Sequence, residues 1–175
     1  MSTWINGLPA TQLNADDRGL AYGDGLFRTL RLRDGAPLLW RWHWARLQAD
    51  CAALRLPCPD AELWLGELAA ASAGVADAVA KLILTRGAGP RGYAPPAQPQ
   101  PTRIVQISPR TPPAAEPYQH GVAVYACALR LGQQPALAGV KHLNRLENVL
   151  ARSEWSPPDY AEGLLCDSEG WVIEG

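Results

Sequence analysis

The chain has 175 residues, and its hydrophobic share of 47% is typical of globular proteins that bury a core. Its formal net charge of −1 argues against an electrostatic grip on nucleic acid or on an anionic membrane surface. The sequence has no apolar run of about 18 residues, and its N-terminus lacks the basic and apolar regions of a signal peptide. We therefore expect a cytoplasmic protein without a transmembrane span.

The four cysteines predict neither a metal site nor a redox motif. Their spacing contains no CxxC pair, which zinc knuckles and redox motifs use. In a reducing cytoplasm we expect four free thiols, most of them buried. The residues are Cys51, Cys58, Cys127 and Cys166.

The first part of the chain predicts a hairpin, a glycine-rich turn and a strand. An Asn-Gly pair within residues 4–9 is typical of a hairpin. Residues 14–27 contain three glycines without the GxGxxG spacing of a phosphate loop, so we interpret them as a structural turn. In residues 26–33, apolar positions alternate with Arg28 and two further arginines, which favours a half-buried strand. A strand over 36–40 follows the Asp-Gly turn.

Helical spacing begins near residue 41 and continues to 54, where His43 and Arg46 lie three residues apart and project from similar sides. From spacing alone, a structural role for His43 and a solvated side chain for Arg46 are the preferred interpretations. Asp60 is placed to cap the next helix. The loop that follows the strand predicted over 78–85 carries Arg91 and Tyr93 among glycines, a composition that can bind a carboxylate group of a ligand. The remaining predicted elements of this half are a helix over 61–71 and strands over 78–85 and 102–108.

The second half begins after a proline-rich boundary at residues 111–117. A helix is predicted over 144–155, with Leu146, Val149 and Leu150 on its apolar side. Strands are predicted over 122–129, 163–167 and 171–174.

Lys141 stands out because the chain has only two lysines, Lys81 and Lys141, against fourteen arginines. A lysine amine can lose its proton and attack a carbonyl, which a guanidinium cannot do. On spacing alone, a solvated lysine at a helix start is the preferred interpretation.

Five motifs in one order carry a resemblance to a known family. They are DRGLAYGDGLF at 17–27, HxxRL at 43–47, RGxGxRGY at 86–93, KHLNRLE at 141–147 and DSEGWVxE at 167–174. Together they resemble the fold-type IV pyridoxal-phosphate enzymes, the group of the branched-chain and D-amino-acid aminotransferases. Within that group the KHLNRLE run is most similar to the aminodeoxychorismate lyases, which make 4-aminobenzoate and pyruvate in folate biosynthesis.

The resemblance implies roles for the matching residues. Lys141 looks like the lysine that binds pyridoxal 5'-phosphate covalently and moves protons, and Thr29 matches a threonine near the reacting carbon. Arg46 looks like a ligand of the cofactor phosphate, and Glu174 like the carboxylate that faces the pyridine nitrogen. Arg145 is implied near the ring hydroxyl of the cofactor. Arg91 and Tyr93 are candidates for contacts with a substrate carboxylate. Arg28 departs from the pattern, since many relatives carry glutamate or threonine there.

The resemblance also implies an α+β, two-domain fold and a homodimer that acts on a small-molecule substrate. We expect a complete small domain over 1–110, a linker over 111–118 and the first part of a larger cofactor domain over 119–175. Because the family's larger domain continues past the position of Glu174, we expect a truncated chain that binds the cofactor weakly.

Two other functions stay open at this stage. One is an aminotransferase that acts on D- or branched-chain amino acids. The other is an inactive fragment that serves only as a dimerising or binding module.

Overall fold

The computed structural model describes residues 1–157 and 159–175. Over those residues the chain forms an α+β fold of two compact units. In chain order the elements are β1 (Ser2–Ile5), β2 (Leu8–Pro9), α1 (Arg18–Tyr22), β3 (Gly25–Arg33), β4 (Ala36–Pro37), α2 (Trp40–Ala53), α3 (Ala61–Ala71), β5 (Asp77–Thr85), β6 (Thr102–Pro109), α4 (Glu116–His120), β7 (Val124–Leu131), α5 (Leu146–Arg152), β8 (Glu162–Asp167) and β9 (Val172–Glu174).

The larger unit comprises Met1–Thr111 together with Gly139–Leu143. Its sheet, as far as the described residues form it, has six antiparallel strands in the order β2-β1-β6-β5-β3-β4. Helices α2 and α3 cover one face, which is apolar because alternate residues of β3, β5 and β6 are hydrophobic. The buried core of this face is Leu26, Leu30, Leu32, Leu47, Cys51, Leu56, Trp64, Leu68, Ala71, Ala78, Ala80, Leu82, Leu84, Val105 and Ile107.

The smaller unit comprises Pro112–Ala138 and Asn144–Gly175. Within its described residues, β7, β8 and β9 form a three-stranded sheet, with β7 and β8 parallel and β8 and β9 antiparallel. The core of this sheet is small, because α5 contributes little more than Ala151 to it. The buried residues of that core are Cys127, Ala151, Trp155 and Leu165. The sequence-based domain limits, 1–110, 111–118 and 119–175, stay a prediction.

Several expectations about local structure were wrong. The glycine-rich stretch contains a short helix, α1, because the Asp17 carboxylate accepts a bond from Gly19 N and Gly23 ends the helix in a left-handed conformation. The strand predicted over 36–40 stops at Pro37, since Leu39 has a φ of 56° and α2 begins directly after it. Asp60 precedes α3 but makes no side-chain capping bond.

The helix predicted over 144–155 is shorter, as α5 spans Leu146–Arg152. Its supposed apolar side is exposed, with Leu146, Val149 and Leu150 each more than half accessible. The cysteines are all free, and Cys58 is exposed rather than buried. In the part of the chain that the structure describes, no helix is long and apolar enough to cross a membrane.

Candidate active site

The segment Gly139–Leu143 lies along the free edge of β3 in the larger unit. Phe27 N donates to Lys141 O over 2.9 Å, and Leu143 N donates to Gly25 O over 3.0 Å. Leu26 and His142 form an antiparallel bridge between these two bonds. This part of the edge of β3 is open for pairing because β4 pairs with β3 at the other end of the strand, at Leu32 and Arg33. Lys141 is thus attached to the core sheet through its main chain.

Gly25 permits this close approach. A Cβ atom at Gly25 would lie 2.4 Å from Leu84 O and 2.8 Å from a methyl carbon of Leu143, so a larger residue would force the strands apart. Gly139 has a φ of 75°, a conformation that favours glycine and turns the chain into the paired segment. Both glycines therefore serve the placement of Lys141.

The amine of Lys141 lies over an aromatic ring on the face of the sheet opposite to α2. Its Nζ is 4.8 Å from the ring centroid of Phe27, within the range of a cation–π contact. Thr29 follows Phe27 by two residues on β3, so both side chains project from this face. The structure consequently places the side chains of the predicted catalytic residues Lys141 and Thr29 on the same face of the sheet.

The second lysine of the chain shares this environment. Lys81 lies opposite Thr29 on β5, and its Nζ is 4.9 Å from the centroid of the Phe27 ring. The two amines therefore contact the same ring, although scarcity of lysine in the sequence pointed to Lys141 alone. Lys81 provides an internal comparison for any reaction assigned to Lys141.

Arg46, the predicted phosphate ligand, lies on α2 in the same unit. Its Nη2 donates to Gly139 O over 3.1 Å, while the residue as a whole is exposed. The guanidinium thus retains solvent-facing donors next to the Lys141 segment. His43 lies one turn earlier on α2, where burial and the charge of Arg28 lower the pKa of its imidazole.

The predicted substrate residues Arg91 and Tyr93 are both exposed, on the loop between β5 and β6. Arg18 anchors this loop. It is 3% exposed and donates hydrogen bonds to the carbonyl oxygens of Gly92 and Tyr93, both over 2.9 Å. Tyr22 accepts a further bond from Gly92 N at 3.1 Å. The sequence motif contained Arg18 and Tyr22, but nothing in it indicated that they anchor this loop.

Asp24 links this anchor to the rest of the larger unit. Its Oδ2 accepts bonds from Arg18 Nε and Arg86 Nε, both over 2.8 Å. Burial alone would raise the pKa of Asp24, but hydrogen bonds and charge from Arg86 and Arg18 outweigh it and hold the pKa below its ordinary value. The carboxylate therefore remains charged and ties two arginines together.

Glu174 and Arg145 lie in the smaller unit. Glu174 is on β9, where it is paired with Leu165 of β8, and Arg145 immediately precedes α5. Arg145 Nη1 and Glu174 Oε2 are 3.4 Å apart, and both side chains are partly exposed. The structure thus brings together these two predicted cofactor residues, one of them a carboxylate and the other a cation.

Taken one by one, the predicted cofactor residues suit the chemistry of pyridoxal 5'-phosphate. Lys141 offers an amine for the aldehyde group, Arg46 offers a guanidinium for the phosphate, and Glu174 offers a carboxylate for the protonated ring nitrogen. Lys141 is half-buried as a residue, and its amine contacts the Phe27 ring. Sequence reasoning missed one neighbour of Lys141, the buried Asp50, which accepts a bond from Lys141 N.

Comparisons with known proteins agree with the resemblance found in the sequence. The chain is 37% identical over 173 residues to an aminodeoxychorismate lyase of Vibrio harveyi, a match that covers 98% of this chain and 63% of that protein. It is also 37% identical over 174 residues to a bifunctional aminodeoxychorismate lyase / D-amino acid transaminase of Mycobacterium tuberculosis, covering 93% of this chain and 58% of that protein.

The fold agrees as well. The crystal structure of a 4-amino-4-deoxychorismate lyase from Pseudomonas aeruginosa superposes with a TM-score of 0.92 at 53% identity. That match covers 99% of this chain and 64% of the other, so the chain spans somewhat less than two thirds of the relatives it resembles. The sequence model of the amino-transferase class IV family matches residues 25–175. The chain belongs to the class IV amino-transferase family.

Proposed function

We propose that the protein containing this chain is a pyridoxal-phosphate-dependent 4-amino-4-deoxychorismate lyase, which forms 4-aminobenzoate and pyruvate. The observation that carries the proposal is the placement of the Lys141 amine over the Phe27 ring, on the same face of β3 as Thr29. The identity to lyases, at 53% for the structure from Pseudomonas aeruginosa, supports a lyase within the family.

In this proposal each predicted cofactor residue has the role that the family resemblance implies. Lys141 would bind the aldehyde carbon of the cofactor, Arg46 would bind its phosphate, and Glu174 would hold a proton on its ring nitrogen. Arg145 would contact the ring hydroxyl. When bound, pyridoxal phosphate supplies an electron-accepting ring that stabilises negative charge on the substrate carbon next to nitrogen.

The side chains of the chain then handle the substrate. Once the amino group of the substrate has displaced it from the cofactor, the free Lys141 Nζ would remove the proton from the ring carbon that bears the substrate nitrogen. Thr29 lies beside this carbon, and Arg91 and Tyr93 bind a substrate carboxylate. The C–O bond at the adjacent ring carbon would then break and release enolpyruvate, which takes up a proton at its methylene carbon to become pyruvate. The ring that remains is aromatic, and aromatisation favours the products.

The two lysines provide the test of this proposal. We expect Lys141→Ala to abolish both the visible absorbance of bound pyridoxal phosphate and the formation of 4-aminobenzoate. Lys81→Ala removes the other amine that contacts the Phe27 ring, and we expect it to retain the bound absorbance. Retained 4-aminobenzoate formation in Lys141→Ala would refute the assignment.

A second candidate function is an aminotransferase that acts on D- or branched-chain amino acids. The bifunctional relative from Mycobacterium tuberculosis, at 37% identity, favours keeping it. The two activities separate when the protein receives D-alanine and 2-oxoglutarate, because only an aminotransferase forms pyruvate and glutamate from them. Pyruvate formed from aminodeoxychorismate without an amino acceptor would instead identify the lyase.

The proposal extends to assembly and location. We propose a homodimer that acts in the cytoplasm on a small-molecule substrate. Light scattering on the purified protein tests the dimer, and a mass of one chain in the active fraction would contradict it.

A further inference from the structure

Arg28 lies on the core-facing side of β3, contrary to the solvent side that the sequence pattern suggested. It occupies the same face as Leu26 and Leu30, since side chains two residues apart on a strand point the same way. Its side chain is only 13% exposed. A charge on this face is costly unless a partner of opposite charge accompanies it.

Asp50 of α2 is that partner. The residue is 2% exposed, and its Oδ2 accepts a hydrogen bond from Arg28 Nη2. The same oxygen lies 3.3 Å from Lys141 N and accepts the main-chain N–H of that residue. One buried carboxylate oxygen therefore connects β3, α2 and the main chain of Lys141.

Stability alone does not explain the pair. A buried ion pair is often no more stabilising than well-packed apolar residues of similar volume. Arg28 Nε is also buried without a hydrogen-bond partner in the described part of the chain. A pair that is costly and incompletely satisfied suggests a role in placing something else.

We propose that Arg28 and Asp50 are positioning residues for Lys141. Asp50 holds the N–H of Lys141, while Phe27 N holds its carbonyl oxygen at 2.9 Å. With both peptide groups fixed, the side chain of Lys141 is directed to the face where its amine contacts the Phe27 ring. Arg28 neutralises Asp50 and keeps its carboxylate oriented toward the segment. The functional importance of this placement rests on the proposed role of Lys141.

The chain contains a matched ion pair for comparison. Arg31 lies three residues after Arg28 on β3 and bonds to Asp77 over 2.6 and 2.7 Å. Both side chains are about one-third exposed. Among the described residues, neither of them hydrogen-bonds to the segment 139–143. A substitution of Asp77 therefore removes an ion pair from the same strand and leaves the hydrogen bonds of Lys141 in place.

The first measurement is hydrogen exchange at single-residue resolution on the wild-type protein. The account predicts that the Lys141 amide is protected as strongly as the amides of Phe27 and Leu143, which bond to main-chain oxygens. A freely exchanging Lys141 amide would overturn the proposal, and this test does not depend on how any variant folds.

The second measurement compares two double variants that differ in one acceptor. R28M/D50N and R28M/D50L both lack the ion pair and have side chains of similar size, but only asparagine can accept from Lys141 N. We expect exchange in the segment 139–143 to be about five-fold faster in R28M/D50L than in R28M/D50N. The D77N variant should exchange like the wild type there.

The third measurement is the amount of pyridoxal phosphate fixed on Lys141 by borohydride reduction and located by peptide mass. We expect more cofactor to be fixed in R28M/D50N, which keeps an acceptor for Lys141 N, than in R28M/D50L, which lacks one. The amount should not correlate with the melting temperatures of the variants. Equal exchange and equal trapping in the two double variants would show a merely structural pair. If the wild type fixes no cofactor at Lys141, the proposed function fails, whereas the exchange comparison still decides whether Asp50 positions the segment.

Discussion

The two units of the chain hold their predicted functional residues in different ways. In the larger unit, Lys141 is bonded on both sides of its Cα, to β3 and to a carboxylate that is 2% exposed. In the smaller unit, Glu174 lies on a three-residue strand and its carboxylate is 37% exposed beside Arg145. The difference teaches that contacts of functional residues contribute to the stability of the larger unit. The contact of Glu174, in contrast, contributes little to the stability of the smaller unit.

The largest effect on stability is expected in the core of the larger unit. Trp64 is completely buried between α3 and the sheet, so Trp64→Ala should cost about 3–5 kcal/mol. Trp155→Ala in the smaller unit should cost less, because that residue is 8% exposed and belongs to a much smaller core. Urea unfolding followed by far-ultraviolet circular dichroism compares the two. A larger loss of unfolding free energy in Trp155→Ala than in Trp64→Ala would contradict the proposed difference between the units.

Acid should weaken the larger unit through Asp24. Since the pKa of Asp24 is lower in the folded protein than in the unfolded chain, its contribution to stability is fully present above the unfolded value of about 3.9. That contribution is lost as the pH falls from there through the lowered folded value. Asp24→Asn should reduce stability at neutral pH and flatten this acid dependence. If the melting temperature of Asp24→Asn fell as steeply with decreasing pH as that of the wild type, below about pH 5, the assignment would be contradicted.

A smaller, local effect is expected at His43. Its pKa is lowered first by burial and second by the positive charge of Arg28. Because the folded pKa lies below the unfolded one, stability from neutral His43 is present at high pH and declines below about pH 6.5. Arg28→Met should raise the pKa of His43 toward its ordinary value without restoring it fully. NMR titration of the imidazole measures this, and an unaltered midpoint would show that Arg28 does not act on His43.

The smallest effect on stability is expected at Glu174. Its partly exposed contact with Arg145 spans 3.4 Å, so Glu174→Gln should move the melting temperature by no more than about 2 °C. The proposed function nevertheless predicts a large fall in 4-aminobenzoate formation, because the amide cannot hold a proton on the ring nitrogen as a carboxylate does. Full activity of Glu174→Gln would remove that residue from the site.

Much of the larger unit could be predicted from the sequence. Alternating residues marked β3, helical spacing marked α2, and a mostly apolar run marked β5, because each pattern extends over several turns or pleats. The helix α1 was missed since it depends on a cap at Asp17 and a left-handed Gly23, in a stretch where three glycines favoured a turn. In α5, Leu146, Val149 and Leu150 share a face, but periodicity does not say that this face is buried.

The candidate site was predictable in part. Lys141 could be singled out because lysine is scarce here and because its neighbours form a family motif. Arg28 and Asp50 could not, since an arginine or an aspartate without a visible partner is expected on the solvent side of its element. Only the fold shows that a carboxylate 22 residues away meets Arg28 on the core face and bonds to Lys141, 91 residues further along the chain.

The central claim is that Lys141 is the residue that binds the cofactor. It is tested most directly by reduction of the protein with borohydride in the presence of pyridoxal phosphate, followed by peptide mass mapping. Both lysines of the chain lie within 5 Å of the Phe27 ring centroid, so nearness to that ring alone would label both. We predict a cofactor adduct on Lys141 and none on Lys81. An adduct on Lys81, or equal labelling of the two lysines, would contradict the account.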